Sequence, residues 1–278
     1  MNGGATKSER RQQPRIKAPT VDEAAAAGRL VLLAEDNETN RDVIQEQMRL
    51  LGYASEVAVD GREALQRWRS GRYALLLTDC HMPKMDGFQL TAAIRAEEPQ
   101  GKRFPIVAVT ANAMQGEAER CLENGMDDYL SKPVRLDELG PKLAKWLPLP
   151  EEQHEGVPGA TNEPTDAPAH APAAIWDAGA LSRLMGGDPD MHRRLLDKFL
   201  ISAEEQVAAI GTAGNPGVVA DVAHKLKSAA RTVGAMLLGE LCQELETAGR
   251  AGDMEVIPAL VEKLNAAFSA AAEQIKRS

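Results

Sequence analysis

The stretch from Ala74 to Gly87, ALLLTDCHMPKMDG, constrains the fold more than any other part of the chain. Ala74 to Leu77 is an unbroken apolar run of strand length, the pattern of a strand buried on both faces of a parallel sheet. It stops at Thr78 and Asp79, which leaves one carboxylate at the mouth of an otherwise dry element. Pro83 then forces a loop, and Asp86-Gly87 offers an N-cap and the first turn of a helix. In open α/β sheets chemistry gathers at the carboxyl ends of the strands. The remaining question is what else converges on Asp79.

Four further segments read as strands: Leu30 to Ala34, ending in Glu35 and Asp36; Ser55 to Ala58; Pro105 to Thr110; and Asp128 to Ser131, followed by Lys132-Pro133. Helical patterns alternate with them. Val43, Ile44, Met48 and Leu51 share one face and close on Gly52, a left-handed cap. Asp60 and Glu63 have capping-box spacing before Ala64, Leu65 and Trp68. Gly87 to Glu98 and Ala113 to Asn124 follow, and Leu136, Leu139, Leu143 and Leu147 mark a last helix. Five such alternations predict an α/β fold, a doubly wound five-stranded parallel sheet of about 120 residues. Gly140-Pro141 conflicts with the last helix, because proline lacks the amide donor and clashes with the preceding turn. A break near Leu139–Pro141 is expected.

Residues 1–28 are polar and then Ala-rich, with Lys7, Arg10, Arg11, Arg15 and Lys17 early, and are expected to be a flexible leader rather than a nucleic-acid or lipid arm. Residues 29–147 hold the α/β domain. Residues 148–174 shift to Pro, Ala, Glu and Thr, the composition of a flexible linker. Residues 175–278 are helical in pattern to the end. Leu195, Leu196, Phe199, Val207 and Ile210 recur at helical spacing, Asn215-Pro216-Gly217 breaks the chain, and Val218 to Met236, Leu237 to Gly249 and Met254 to Ile275 are amphipathic. An all-α four-helix-type bundle follows from this pattern. The net charge of −9 argues against a nucleic-acid partner bound through bulk charge. Cys80, Cys121 and Cys242 form no CxxC pair, which argues against a disulfide framework or zinc site and for a reducing cytoplasm. No run approaches ~18 apolar residues, so no direct membrane insertion is expected.

In the predicted topology Glu35, Asp36 and Asp79 meet where the strand order reverses. Two carboxylates about 5 Å apart repel by roughly 3 kcal/mol at an effective dielectric of 20, and a hard cation such as Mg²⁺ suits an all-oxygen site. Thr110 and Lys132 bring a hydroxyl and an ammonium to the same edge. This collection suits a transferring phosphoryl group, with Asp79 as nucleophile.

Glu35-Asp36-Asn37, Asp79-x-x-Met-Pro-x-Met-Asp-Gly, Thr110-Ala111, Tyr129 and Lys132-Pro133 together resemble a response-regulator receiver domain, of flavodoxin-like fold, over about Leu30 to Leu147. The resemblance implies that Asp79 accepts the phosphoryl group and that Glu35, Asp36, Asp79 and the His81 backbone carbonyl hold Mg²⁺. It implies that Lys132 contacts the phosphoryl oxygens and that Thr110 and Tyr129 form a switch pair. The His81 side chain is expected to be exposed, and Cys80 to be a small packing residue.

A second reactive residue lies in AHKLKSAARTVGA, Ala223 to Ala235. On a helix, Val219, Val222, Ala223, Leu226, Ala230 and Val233 form one stripe, and His224 points about 140° from its centre. His224 is therefore expected to face solvent, near Ser228 and Arg231, with Lys227 at the margin. Lys227 and Arg231 could neutralise phosphoryl charge. The pattern H-x-L-K-x-x-[AS]-x-x-x-G-A resembles the phosphoacceptor helix of a histidine-containing phosphotransfer (HPt) domain. It implies phosphorylation of His224 on a ring nitrogen, assisted by Lys227. Ser228 stands where many members carry Gly, and its hydroxyl is expected to crowd or hydrogen-bond the imidazole.

Receiver plus HPt resembles the C-terminal part of an unorthodox hybrid sensor histidine kinase. A phosphorelay is implied, in which Asp79 accepts from a kinase phosphohistidine and passes the group to His224, which donates to a downstream receiver. An upstream histidine kinase domain and a downstream response-regulator receiver would be the partners, and the cytoplasm, or the cytoplasmic part of a membrane-bound sensor, the location. No Gly-rich nucleotide-binding motif is seen, so ATP-dependent autophosphorylation of this chain is not expected. The alternative is a receiver acting as an allosteric phospho-switch, with the HPt domain as a phosphate sink.

Overall fold

The computed structural model describes residues 18–110, 115–150, 174–186 and 188–278. Most of the expected leader and linker, and the first two residues of the helix expected from Ala113, lie outside the described residues. Within the part of the leader that is described, the structure corrects the flexible assignment. Val21–Ala26 is a short helix, α1. Thr20 and Glu23 cap it reciprocally, and Ala24 is buried in a small cluster with Leu30 and Ala54. A capped turn with one apolar anchor is enough to dock it.

The five strands are β1 (Leu30–Ala34), β2 (Ser55–Ala58), β3 (Tyr73–Asp79), β4 (Ile106–Thr110) and β5 (Asp128–Ser131), all parallel in the order β2-β1-β3-β4-β5. The order reverses between β1 and β3, so the ends of those two strands, Ala34 and Asp79, flank the switch point. Helices α2 (Glu38–Leu50) and α6 (Leu136–Trp146) cover one face, while α3 (Gly61–Trp68), α4 (Gly87–Glu97) and α5 (Gln115–Glu123) belong to the other. Leu75 and Leu77 pack with the first group, Leu76 with the second, and all three are fully buried. Two-sided burial explains the unbroken apolar run.

No break occurs at Leu139–Pro141: α6 continues through Pro141. Leu139 and Leu143 are buried against the sheet, whereas Pro141 and Asp137 are exposed. The carbonyl that loses its amide partner belongs to Asp137, where water can replace the bond. The sheet holds the two leucines on either side, and their burial outweighs one lost hydrogen bond.

The C-terminal region consists of α7 (Ala180–Met185) and four longer helices, α8 (Pro189–Thr212), α9 (Pro216–Val233), α10 (Met236–Ala251) and α11 (Ile257–Arg277). Leu196, Phe199, Val219, Leu226, Leu245 and Leu264 are among the residues of its core. The expected helix ending at Met236 stops earlier. Gly234 adopts φ +86°, its amide closes on Arg231, and an added Cβ would strike the Asp177 carbonyl. Only glycine satisfies both demands there.

Helix α2 is shared by the two domains. Ile44, Met48 and Leu51 pack with the sheet, but Val43, expected on the same face, joins the core of the helical bundle. Gln47 is fully buried and donates to Val134 O and to Leu184 O, both at 2.8 Å. One side-chain amide thus stitches the bundle to the α/β domain.

Candidate functional site

Because the strands are parallel, Glu35 and Asp36 after β1, Asp79 ending β3, Thr110 ending β4 and Lys132 after β5 all reach one edge. The loop after β3 folds back tightly. The Gly87 amide donates to Cys80 O at 3.1 Å, and a Cβ at Gly87 would collide with the Asp79 carbonyl. Asp86 caps α4 with a reciprocal Gln89 bond. The Asp-Gly pair therefore sets the loop that presents Asp79 and His81.

Ligand atoms of Glu35, Asp36 and Asp79 lie within 4.8 Å of one another. Lys132 Nζ is 2.6 Å from Asp79 Oδ2 and 2.7 Å from Glu35 Oε2. Glu35 is 1% exposed, and the Lys132 ammonium is the cation against its Oε2. Burial raises the Glu35 pKa to about 7, opposed by Lys132 and reinforced by Asp79. Burial disfavours the Lys132 charge, but Asp79 and Glu35 outweigh it and hold the ammonium protonated well above its usual range. Three carboxylates gathered at one point, with Lys132 against Glu35 and Asp79 and Lys225 against Asp36, form the all-oxygen donor set that a hard divalent cation takes.

Asp79 Oδ1 accepts from the His81 amide at 3.0 Å. Thr110 Oγ1 donates to Glu117 Oε2 at 2.7 Å, and Glu117 Oε1 is 3.4 Å from His81 Nε2. Glu117, missed in the sequence, links the end of β4 to the β3 loop. Tyr129 is half-buried beside the β3–α4 cluster, with Lys142 Nζ 5.2 Å from its ring centre. Cys80 and Cys121 are both fully buried, with sulfurs 3.6 Å apart, and all three cysteines are free.

His224 does not face open solvent. Its side chain is 22% exposed and its ring lies edge-on to His81, with centroids 5.9 Å apart. The helix-face prediction was right about its direction away from the bundle core, but the α/β domain lies on that side. Asp79, His81, Lys132, His224, Lys227 and Ser228 are among the residues lining one cleft of about 20 Å³, room for about one water. A larger cavity, about 610 Å³ between residues 18–21, α2 and α8, contains neither Asp79 nor His224.

Glu246 on α10 organises the histidine, and the sequence reading missed it. Its Oε1 lies 2.9 Å from His224 Nδ1, its Oε2 accepts from Lys227 Nζ at 2.6 Å, and Arg250 donates to Oε1. Burial opposes the Glu246 charge, but the bonds from His224 and Lys227 prevail and hold its pKa well below the usual range. A carboxylate only accepts, so Nδ1 carries a hydrogen toward Glu246, and in the neutral imidazole the lone pair is then on Nε2. Lys227 is buried rather than marginal, also bonded to Gln243 Oε1 at 3.0 Å. Ser228 bonds Asn40 of α2, not the imidazole. Glu246 sits in a Glu-x-x-x-Arg helical pair, but nothing in its own helix points to a histidine 22 residues away.

The two domains meet through polar contacts as well. Lys225 Nζ is 2.9 Å from Asp36 Oδ2, Asn37 Nδ2 donates to Lys225 O at 3.0 Å, and Lys198 Nζ is 2.6 Å from Asp42 Oδ2.

Comparison with known proteins agrees with this division. The response regulator receiver domain family matches residues 31–144, and the Hpt domain family matches residues 194–274. The hybrid signal transduction protein dokA of Dictyostelium discoideum is 47% identical over 117 residues, 42% of this chain and 7% of dokA. The sensor histidine kinase GacS of Pseudomonas protegens is 33% identical over 249 residues, 87% of this chain. The chain spans about a quarter of GacS, 27% of its length. Among solved structures, the receiver domain of sensor histidine kinase PA1611 from Pseudomonas aeruginosa, described with a magnesium ion in its active-site cleft, is 45% identical. It covers 43% of this chain and 98% of its own, with a TM-score of 0.40. Among the described residues no helix is long and apolar enough to cross a membrane. Residues 31–144 are a response regulator receiver domain and residues 194–274 an Hpt domain, and the chain resembles the C-terminal part of hybrid sensor histidine kinases.

Proposed function

We propose that this chain is a two-station phosphorelay module. Asp79 accepts a phosphoryl group from a kinase phosphohistidine, and His224 takes it from Asp79 for delivery to a downstream receiver. The observation that carries this reading is the closed cleft lined by both residues. In the first step an Asp79 carboxylate oxygen attacks phosphorus, a P–O bond forms and the donor P–N bond breaks. In the second, His224 Nε2 attacks, a P–N bond forms, and Asp79 leaves as the carboxylate. Glu246 holds the Nδ1 hydrogen throughout and balances the positive charge that develops on the ring. Lys132 stays against the acceptor oxygens, and Lys227 supplies charge from beside Glu246. With space for about one water, the cleft also limits hydrolysis of the acyl phosphate.

Glu35, Asp36 and Asp79, with the His81 backbone carbonyl, would hold Mg²⁺. When bound, the ion neutralises carboxylate and phosphoryl oxygens so that an anion can approach. Thr110 and Tyr129 would respond to phosphorylation as the switch pair, with the Thr110–Glu117 bond as the one to be exchanged.

Label supplied by an upstream phosphohistidine donor tests the route. Asp79→Asn should block label from reaching His224, and His224→Gln should strand it on Asp79. Direct labelling of His224 in the Asp79→Asn chain would defeat the proposed order, and loading by acetyl phosphate undiminished in EDTA would defeat the metal requirement.

A further inference from the structure

Asn40 stands at the centre of the domain interface, and its side-chain amide is fully used. Nδ2 donates to Ser228 Oγ at 2.8 Å and to Glu35 Oε1 at 3.2 Å, while Oδ1 lies 2.8 Å from Thr232 Oγ1. The orientation of the amide follows from its neighbours. Glu35 Oε1 already accepts from the Asn37 backbone amide at 3.2 Å, so Nδ2 faces it as a second donor, which turns Oδ1 toward the Thr232 hydroxyl. Asn40 and Thr232 are each 4% exposed. Ser228 and Thr232 are one turn apart on α9, on the same helix as His224, so the amide is bonded from both sides of a single ridge.

We infer that the Ser228–Thr232 hydroxyl pair is a selectivity element of the Hpt surface, accepting receivers that present a carboxamide from the first turn of α2. This rests on the reading of the chain as a receiver–Hpt transfer pair, and it says which receivers fit. Before docking, water satisfies the amide and both hydroxyls, so the matched contact adds only a modest gain. An apolar residue in place of Asn40 strands Ser228 Oγ, and apolar residues in place of the hydroxyls strand Asn40 Oδ1, while Thr232 keeps Ser228 O and Asn40 Nδ2 keeps Glu35. A stranded buried group costs more than a matched bond contributes. Discrimination arises from that penalty. The same α9 face carries His224, so an external receiver must replace this chain's own receiver there. The partner selected for outward transfer is therefore a receiver with Asn or Gln in the place of Asn40, in competition with the tethered one.

Four full-length chains test this: wild type, Asn40→Leu, Ser228→Ala with Thr232→Val, and all three changes together. Docking is read from the radius of gyration by small-angle X-ray scattering, without phosphodonor. Passage to His224 is read as phosphohistidine appearing in chains already loaded at Asp79 with acetyl phosphate, so the loading rate does not enter. Each one-sided change should shift docking about tenfold toward the open form and slow passage by a similar factor. The triple variant, apolar on both sides, should recover most of both. Additive losses, or one-sided changes that leave docking unaltered, overturn the inference. If wild type passes nothing to His224 while the docking measurements show the recovery, the relay reading falls and the recognition stands. If passage occurs but the losses add, the relay stands and the recognition falls.

Discussion

Asp79 and His224 face each other across one cleft, yet their surroundings are built differently. Asp79 ends a strand buried from Leu75 onward, and its setting comes from the backbone: the His81 amide, the parallel register, and a loop closed against its own carbonyl by Gly87. His224 rides the outer face of a helix, and its setting comes from side chains of the neighbouring helix, chiefly Glu246. Lys132 bridges two acids, whereas Lys227 shares one acid with a histidine and an arginine. The difference predicts how each site fails. Backbone-built sites lose geometry and stability together, while side-chain-built sites lose charge balance first.

The largest effect is expected at Lys132. Lys132→Ala removes a lysine that contacts both Glu35 and Asp79, and loading of Asp79 by acetyl phosphate should fall about 10²–10³-fold, the usual consequence of losing one preorganised donor. Thermal melts should also show the variant gaining more from added Mg²⁺ than wild type does. Equal gains would mean that the lysine does not share the role of the metal.

Glu246→Ala should cost about 3–5 kcal/mol in urea unfolding, because it leaves the buried Lys227 ammonium without its counter-charge. Glu246→Gln keeps an acceptor for His224 Nδ1 and should retain more phosphohistidine formation than the alanine variant. The folded-state pKa of Glu246 lies below its usual value of 4.5, so the folded form holds its proton less tightly than the unfolded form. Its stabilising share is complete above about that pH and is lost as pH falls through the depressed pKa. The stability gap between wild type and Glu246→Gln should therefore narrow below pH 4.5; a constant gap would contradict the ion-pair account.

Gly87→Ala should cost about 2 kcal/mol, since the loop must move to admit a methyl group against the Asp79 carbonyl. Acetyl phosphate loading should drop in the same variant, because the displaced carbonyl belongs to the acceptor residue. Retained loading at reduced stability would show that the loop and the acceptor are less tightly joined than the contacts indicate.

The smallest effect belongs to Lys225. Its ion pair with Asp36 is 39% exposed on the lysine side, so Lys225→Ala should weaken docking by at most about 1 kcal/mol, measured by scattering in the full chain.

Much of the receiver was legible because local chemistry and topology agree there. β1, β2 and β5 have the bounds read from the sequence, and the acids and Lys132 converge because parallel strands present all their carboxyl ends at one edge. The Hpt helix was legible in its apolar stripe: Val219, Ala223, Leu226, Ala230 and Val233 are all buried. Pro141 was misjudged because the rule against proline is local, while burial of Leu139 and Leu143 is not. Glu117 and Glu246 were missed because each acts across an inter-helix or strand–helix contact that sequence spacing does not encode.

The sequence by itself determined the two domain types, the strand that carries Asp79 and the helix that carries His224, because periodicity and capping act over a few residues. Tertiary structure decided that the exposed face of α9 is covered, that Val43 leaves the receiver core for the bundle, and that Ser228 bonds Asn40 rather than the imidazole. Those outcomes depend on which surfaces of two separately folded cores meet. Side-chain pattern within either core carries no record of that choice until the two are docked.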